Sequence, residues 1–124
     1  MRIIAFRSLR EFFEKPEYSD SEVSLRAWYH DAKAADWRNS NELKSQYKNA
    51  SIVGDGRVVF NIKGNYYRLV VAIDYEFQII FIRFIGTHKQ YDKVDAKIVV
   101  GILKKDIKAF IGFREAIINF LKRG

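Results

Sequence analysis

From Arg57 to His88 the chain reads RVVFNIKGNYYRLVVAIDYEFQIIFIRFIGTH, dense in valine, isoleucine, phenylalanine and tyrosine with only brief interruptions. Such side chains suit a pleated, half-buried surface, and Gly64-Asn65 and the segment Tyr75–Gln78 supply turn-forming breaks. The stretch therefore predicts a meander of three antiparallel strands. A two-residue loop at Gly64-Asn65 sets Lys63 opposite Tyr66, Asn61 opposite Arg68 and Val59 opposite Val70. A turn centred on Glu76-Phe77 then sets Val70 opposite Arg83, Arg68 opposite Ile85 and Tyr66 opposite Thr87. On this register one face holds Val58, Phe60, Ile62, Tyr67, Leu69, Val71, Ile73, Ile80, Ile82 and Phe84, without a charge. The other holds Asn61, Lys63, Tyr66, Arg68 and Arg83, so basic groups gather toward one end of it.

Before Gly56 the period is helical. Arg2–Ala5 (RIIA) reads as a short strand, and Ser8 as the N-cap of a helix over LREFFEKPEY that Pro16 interrupts. SDSEVSLRAWYHDAKAADW predicts a second helix, with Val23, Ala27 and Ala34 near one stripe and Trp28 and Trp37 adjoining. NSNELKSQYKN repeats the capping pattern with Leu43 and Tyr47 at i, i+4, and SIVGDG reads as a turn. No repeat or linker separates helices from strands. The expected fold is α+β: an antiparallel sheet, made of the N-terminal strand and the meander, covered on one face by the N-terminal helices. KKDIKAFIGFREAIINFLKRG predicts a basic amphipathic C-terminal helix additional to this fold. That helix is expected to cover an open sheet edge or a core flank; a membrane-surface or partner-docking helix is the alternative.

Charge narrows the partners. With 22 Lys+Arg against 15 Asp+Glu, a formal charge of +7 over 124 residues favours a polyanion such as RNA, DNA or an acidic protein surface. The absence of cysteine removes disulfides, thiolate catalysis and cysteine zinc sites, and fits a reducing compartment. No window approaches the roughly 18 apolar residues of a membrane span, and the N-terminus has no long apolar core of a signal peptide. A cytoplasmic protein is the expectation. The GxxxxGK[ST], HExxH and GxSxG motifs are absent. Asp92 and Asp95 are flanked by lysines and suit helix charge pairing better than magnesium, so neither a metal nor a cofactor is assigned.

At the end of the meander, FIRFIGTHKQYDKVD passes abruptly from apolar strand to His88, Lys89, Tyr91, Asp92 and Lys93. Thr87 can cap a helical turn that begins after it, and His88, Tyr91 and Asp92 then fall on one side of that turn at the margin of the basic face. Two readings stay open, a helix cap on a core strand or an acid–base cluster. His30, within the second helix, lacks such company and reads as helix surface.

The segments WYHDAKAADW, ELKSQYKNASIVGDGRVVFNIKGNYYRLVV and FIRFIGTHKQYDKVDA resemble the HigB-type toxins of bacterial toxin–antitoxin modules, within the RelE-like group, over about residues 1–97. The resemblance implies a small α+β toxin that cleaves mRNA, commonly on the translating ribosome. Its silencing partner would be a helix-turn-helix antitoxin of the HigA type, through which alone it would meet DNA. It also implies a requirement for basic residues on the sheet face, met here by Lys63, Arg68 and Arg83, and a THxxYD pattern met by His88 and Tyr91. Similar toxins usually end near Lys97 whereas this sequence continues through Gly124, so the resemblance implies a toxin domain over residues 1–97 with 98–124 as an extension of the same domain.

Metal-free RNA cleavage uses the substrate 2′-hydroxyl as nucleophile. It needs proton transfer to and from oxygen and positive charge on the pentacoordinate phosphorus. His88, whose ordinary pKa lies near 6.5, is the best candidate for proton transfer, with Tyr91 or Lys63 completing the pair. Arg68 and Arg83 are permanently charged forks suited to phosphate. Tyr66 is placed to stack a base, Asn61 to orient a hydroxyl or phosphate, and Lys89 and Lys93 to bind the substrate backbone. Non-catalytic readings are an inhibitor built on the same fold, like relatives that poison DNA gyrase, and a basic RNA- or ribosome-binding module.

Overall fold

The strand-forming residues build one five-stranded sheet in the order β1-β5-β4-β3-β2. Its strands are β1 (Arg2–Ile4), β2 (Ser51–Ile52), β3 (Arg57–Ile62), β4 (Tyr67–Asp74) and β5 (Ile79–Thr87). The helices are α1 (Phe6–Phe13), α2 (Glu22–Ala34), α3 (Ser40–Gln46) and α4 (His88–Lys93), with a 3-10 turn over Pro16–Ser21. This computed structural model describes residues 1–54 and 56–93, and the chain divides into two compact units, Met1–Tyr91 and Asp92–Gly124. The helix expected within 98–124 lies outside the described residues. None of the described helices is long and apolar enough to cross a membrane.

The fold is α+β, and the meander is as the sequence predicts. The sheet is mixed and not antiparallel throughout as expected: β1 joins β5 in parallel, while the other pairs are antiparallel. β2 is a two-residue strand where SIVGDG reads as a turn alone. The expected register of β3 against β4 holds, with Asn61 opposite Arg68 and Val59 opposite Val70. The loop is longer than two residues, however, because pairing stops at Ile62 and Tyr67 and the turn runs over Lys63–Tyr66. Lys63 and Gly64 both adopt left-handed backbone, at φ 51° and 63°.

Against β5 the expected register holds only as far as Val71 opposite Ile82. A bulge between Val70 and Val71 then inserts Arg83, so Val70 faces Phe84, Leu69 faces Ile85 and Arg68 faces Gly86. A bulge moves every later side chain to the other face. Ile85, not Phe84, therefore packs against the helix-side core.

That core joins Leu9, Phe12 and Phe13 of α1, Leu25, Trp28 and Ala32 of α2, and Leu43 of α3 to the inward residues of β3, β4 and β5. The α2 stripe differs from the one expected: Leu25, Trp28 and Ala32 point inward at helical spacing, while Val23 is 81% exposed. The opposite sheet face also differs. Val59, Val70, Ala72, Ile79 and Phe81 are buried there, so its middle is apolar and its basic groups stand apart.

Two helix ends use unusual groups. The N-terminal ammonium of Met1 donates to the carbonyls of Ala32 (3.2 Å), Lys33 (2.8 Å) and Ala35 (2.8 Å), placing a cation where the last turn of α2 leaves orphan acceptors. α1 begins after Ala5, not Ser8, and Ala5 takes left-handed backbone (φ 75°) at the corner from β1. That conformation costs an L-residue roughly 1–2 kcal/mol, a penalty glycine lacks. Ala5→Gly is therefore expected to raise unfolding stability by about 1 kcal/mol, and thermal denaturation of the two chains checks it.

Candidate functional site

One end of the sheet gathers most of the chemically able side chains: the Lys63–Tyr66 turn, Arg68 at the start of β4, and the β5–α4 junction. The bulge decides which of them meet. With Tyr67 opposite Thr87, the next main-chain contact is the His88 N–H donating to the Tyr66 carbonyl at 2.9 Å. His88 thus stands beside Tyr66, where an unbulged ladder would have put Thr87.

The junction itself is a reciprocal cap. The Gln90 N–H donates to Thr87 Oγ1 (3.0 Å), and the Thr87 N–H donates to Gln90 Oε1 (2.8 Å), the S/T-x-x-E/Q capping box that satisfies two orphan donors together. The Gln90 side-chain amide continues to the Tyr18 hydroxyl at 3.0 Å, tying α4 to the 3-10 turn. Gly86 makes room for this. A Cβ there would lie 2.7 Å from Gln90 Oε1 and 2.7 Å from the Phe84 ring. Gly86→Ala should cost about 1–3 kcal/mol, as overpacking does, and a chemical denaturation midpoint measures it.

Lys63 and Asp20 form the second tie to the 3-10 turn. Lys63 Nζ donates to Asp20 Oδ2 at 2.6 Å, and the Tyr67 hydroxyl donates to Asp20 Oδ1. The Lys63 ammonium also sits 5.5 Å from the centroid of the Tyr66 ring, which is 67% exposed. The Lys63 hydrogen bond, with that of Tyr67, holds the Asp20 carboxyl below the usual carboxylate range. Burial, then the bond to Asp20, pushes the Tyr67 phenol up to about 12, so it stays protonated at neutral pH.

Because its folded value is depressed, Asp20 contributes stability that is present above its ordinary pKa of 3.8 and lost as pH falls through the lower folded value. Tyr67 contributes stability that is lost as pH rises from its ordinary 10.0 toward about 12. In unfolding curves taken across pH, the gap between wild type and Asp20→Asn should be full above pH 3.8 and close below it. A gap that stays constant across the acid range would mean that titration of Asp20 does not affect folding.

Arg68 braces the turn. Its Nη1 donates to the carbonyls of Asn65 (3.0 Å) and Tyr67 (3.2 Å), and its Nη2 to Asn65 Oδ1 (3.0 Å). These bonds leave Nε–H and one Nη2–H on the same edge of the guanidinium, and no carboxylate pairs with Arg68 among the described residues. Asn61 lies directly across β3 from Arg68.

The remaining expected site residues divide. Tyr91 lies with its ring 6.4 Å from that of Phe84, on the side of the sheet the bulge gave to Phe84. Lys89 and Lys93 are exposed on α4. Arg83 is not brought to the turn: its guanidinium lies 5.0 Å over the Phe81 ring, further back along β5. A bulge re-aims the extra residue, and no sequence pattern marked it. Asp20, Asn65 and Gln90 are the partners sequence reasoning missed, though the T-x-x-Q spacing from Thr87 to Gln90 could have disclosed the last. Among the described residues no cluster of three or more His, Asp or Glu side chains could hold a metal ion.

The α+β fold, a five-stranded mixed sheet with four helices among the described residues, is consistent with a RelE-like small domain. The family model for the HigB toxin, the RelE-like toxic component of a toxin–antitoxin system, matches residues 21–94 of the 124, and the chain belongs to that family. The match takes in the turn, Arg68 and the β5–α4 junction, and leaves out β1, α1 and the part of the 3-10 turn that carries Tyr18 and Asp20. No curated protein matches the chain. The protein is thus the toxin of a toxin–antitoxin pair, and its partner in that pair is an antitoxin.

Proposed function

We propose that the toxin is a metal-independent endoribonuclease that cleaves mRNA, acting on the translating ribosome in the cytoplasm, and that its antitoxin is a helix-turn-helix protein of the HigA type. The observation that carries this is the bond from the His88 N–H to the Tyr66 carbonyl, which sets a histidine at the same sheet end as Arg68 and Lys63. Imidazole supplies both protonation states near neutral pH, and the open Nε/Nη2 edge of Arg68 suits two oxygens of one phosphate.

In the proposed reaction the 2′-oxygen attacks phosphorus while its proton passes to a base. The 5′-oxygen leaves with a proton from an acid, giving a 2′,3′-cyclic phosphate and a 5′-hydroxyl. His88 serves one transfer, and Tyr91 or Lys63 the other. For Lys63 this requires exchanging Asp20 for substrate, since its ammonium is hydrogen-bonded to that carboxylate at 2.6 Å. Arg68 stabilises the phosphorane, a donor of the kind worth roughly 3 kcal/mol. Tyr66, exposed and backed by a cation, offers a stacking surface, and Asn61 can orient the ribose or phosphate. Arg83, set back over Phe81, would hold a more distant phosphate, and Lys89 and Lys93 the flanking backbone.

Primer extension on an mRNA under translation, beside the same RNA without ribosomes, tests the proposal. Wild type should give discrete breaks in the translated RNA, and His88→Ala or Arg68→Ala should each slow single-turnover cleavage by about 100-fold or more while ribosome binding largely survives. RNA left intact by wild type in both settings would sink the nuclease and leave a basic binding module.

A further inference from the structure

The edge of the sheet beside the Lys63–Tyr66 turn carries a cleft of which the proposed chemistry uses only the Asn61 side chain. The Val53 N–H donates to the Arg57 carbonyl at 2.9 Å, which fixes the side of β3 that faces β2. In an antiparallel ladder alternate residues share a side, so Arg57, Val59 and Asn61 direct their main-chain groups toward that edge. β2 pairs only with Val58 and Val59. Continuing its register would set Asn49 opposite Asn61, but the strand begins at Ser51, after a turn closed by the Ala50 N–H on the Tyr47 carbonyl at 3.1 Å. Among the described residues no main-chain hydrogen bond links Asn61 to that loop.

The gap is a cleft of ≈ 280 Å³ lined by Gln46, Tyr47, Lys48, Asn49, Asn61 and Gly64, with Ala50 and Phe60 behind. That volume falls just below the range for drug-sized ligands, roughly 300–1,000 Å³, and suits one ring system. Its wall is rigid. The Tyr47 hydroxyl donates to Asp31 at 2.7 Å, and its ring meets Phe60 edge-on at 5.2 Å and Trp37 at 6.0 Å. Its rim is mixed: the Asn61 N–H and C=O lie side by side, Asn49 offers an amide, Lys48 a positive charge, and no carboxylate lines it. A donor and acceptor in tandem match the hydrogen-bonding edge of a nucleobase, while the missing carboxylate and the added cation favour a phosphate-bearing ligand.

We propose that this cleft is a subsite for one unpaired base of single-stranded RNA, read by the Asn61 main chain and Asn49, with Lys48 on an adjoining phosphate. Because Asn61 stands opposite Arg68, a base held here belongs to a nucleotide next to the phosphate at Arg68. The proposal rests on the endoribonuclease reading for its purpose and not for its binding, so the two can fail separately.

Amide spectra of nitrogen-15-labelled protein provide the test, with the four ribonucleoside 5′-monophosphates and a 2′-O-methylated single-stranded hexamer as probes. Residues Tyr47–Ala50 and Asn61–Gly64 should shift, unequally among the four bases. Lys48→Ala/Asn49→Ala should weaken hexamer binding at these amides on the order of 10-fold, the loss of about one good hydrogen bond. Both side chains are exposed, so the double variant should melt as wild type does. In primer extension the same variant should redistribute breaks among bases. Hexamer shifts confined to Arg68 and His88, or an unchanged break pattern, would overturn the subsite while leaving the nuclease standing. Base-dependent shifts in the cleft without any RNA cleavage would support the subsite and overturn the nuclease. Shifts raised only by the antitoxin would make the cleft a protein-docking site and overturn the proposal.

Discussion

The arrangement of the sheet end depends on one extra residue in β5. Arg83 interrupts the β4–β5 ladder, and everything after it is displaced by one position against β4. Ile85 turns inward to fill the helix-side core, Phe84 turns outward to lie over Gly86, and His88 comes level with Tyr66. A regular ladder would send Phe84 to the core and leave the histidine beyond the reach of the Tyr66 carbonyl. A local irregularity in backbone pairing therefore settles both a packing choice and a chemical neighbourhood.

Around that register a set of polar bonds ties the sheet end together. Thr87 and Gln90 close the start of α4 on each other, and Gln90 reaches Tyr18. Asp20 accepts from both Lys63 and Tyr67, and Arg68 spans the turn through Asn65. Two of these ties converge on the 3-10 turn Pro16–Ser21, which carries Tyr18 and Asp20. Partly exposed charge pairs contribute little stability individually. Their joint effect here is geometric, because each fixes the angle at which a cation or an amide leaves the sheet.

The meander, the N-terminal strand and the helices before Gly56 were legible because hydrophobic period and capping residues act locally. The pairing of Asn61 with Arg68 was legible for the same reason, since a short loop fixes register at its own strands. The bulge was not. Nothing in FIRFIG distinguishes a strand that keeps its alternation from one that breaks it, and the preference emerges only when Ile85 competes with Phe84 for the core. The same limit hid the inward stripe of α2, where Leu25 rather than Val23 finds the core. The second apolar layer, Val59, Val70, Ala72, Ile79 and Phe81, was visible in the alternation but lay behind the conspicuous basic residues. At the site, the family resemblance identified which residues to consider, whereas Asp20 became relevant only once folding brought it to Lys63 across 43 positions of chain.

Lys63 carries a further implication. It sits at φ 51°, a backbone state in which glycine or asparagine rests more easily than lysine. Selection on backbone conformation alone would favour exchanging it for one of those residues. Keeping a long cationic side chain on that left-handed backbone means accepting a less stable turn in return for an ammonium at the sheet end. Glycine or asparagine at 63 would relax the backbone but remove that charge and its hydrogen bond to Asp20, so ease of the turn and its tie to the 3-10 turn pull position 63 in opposite directions.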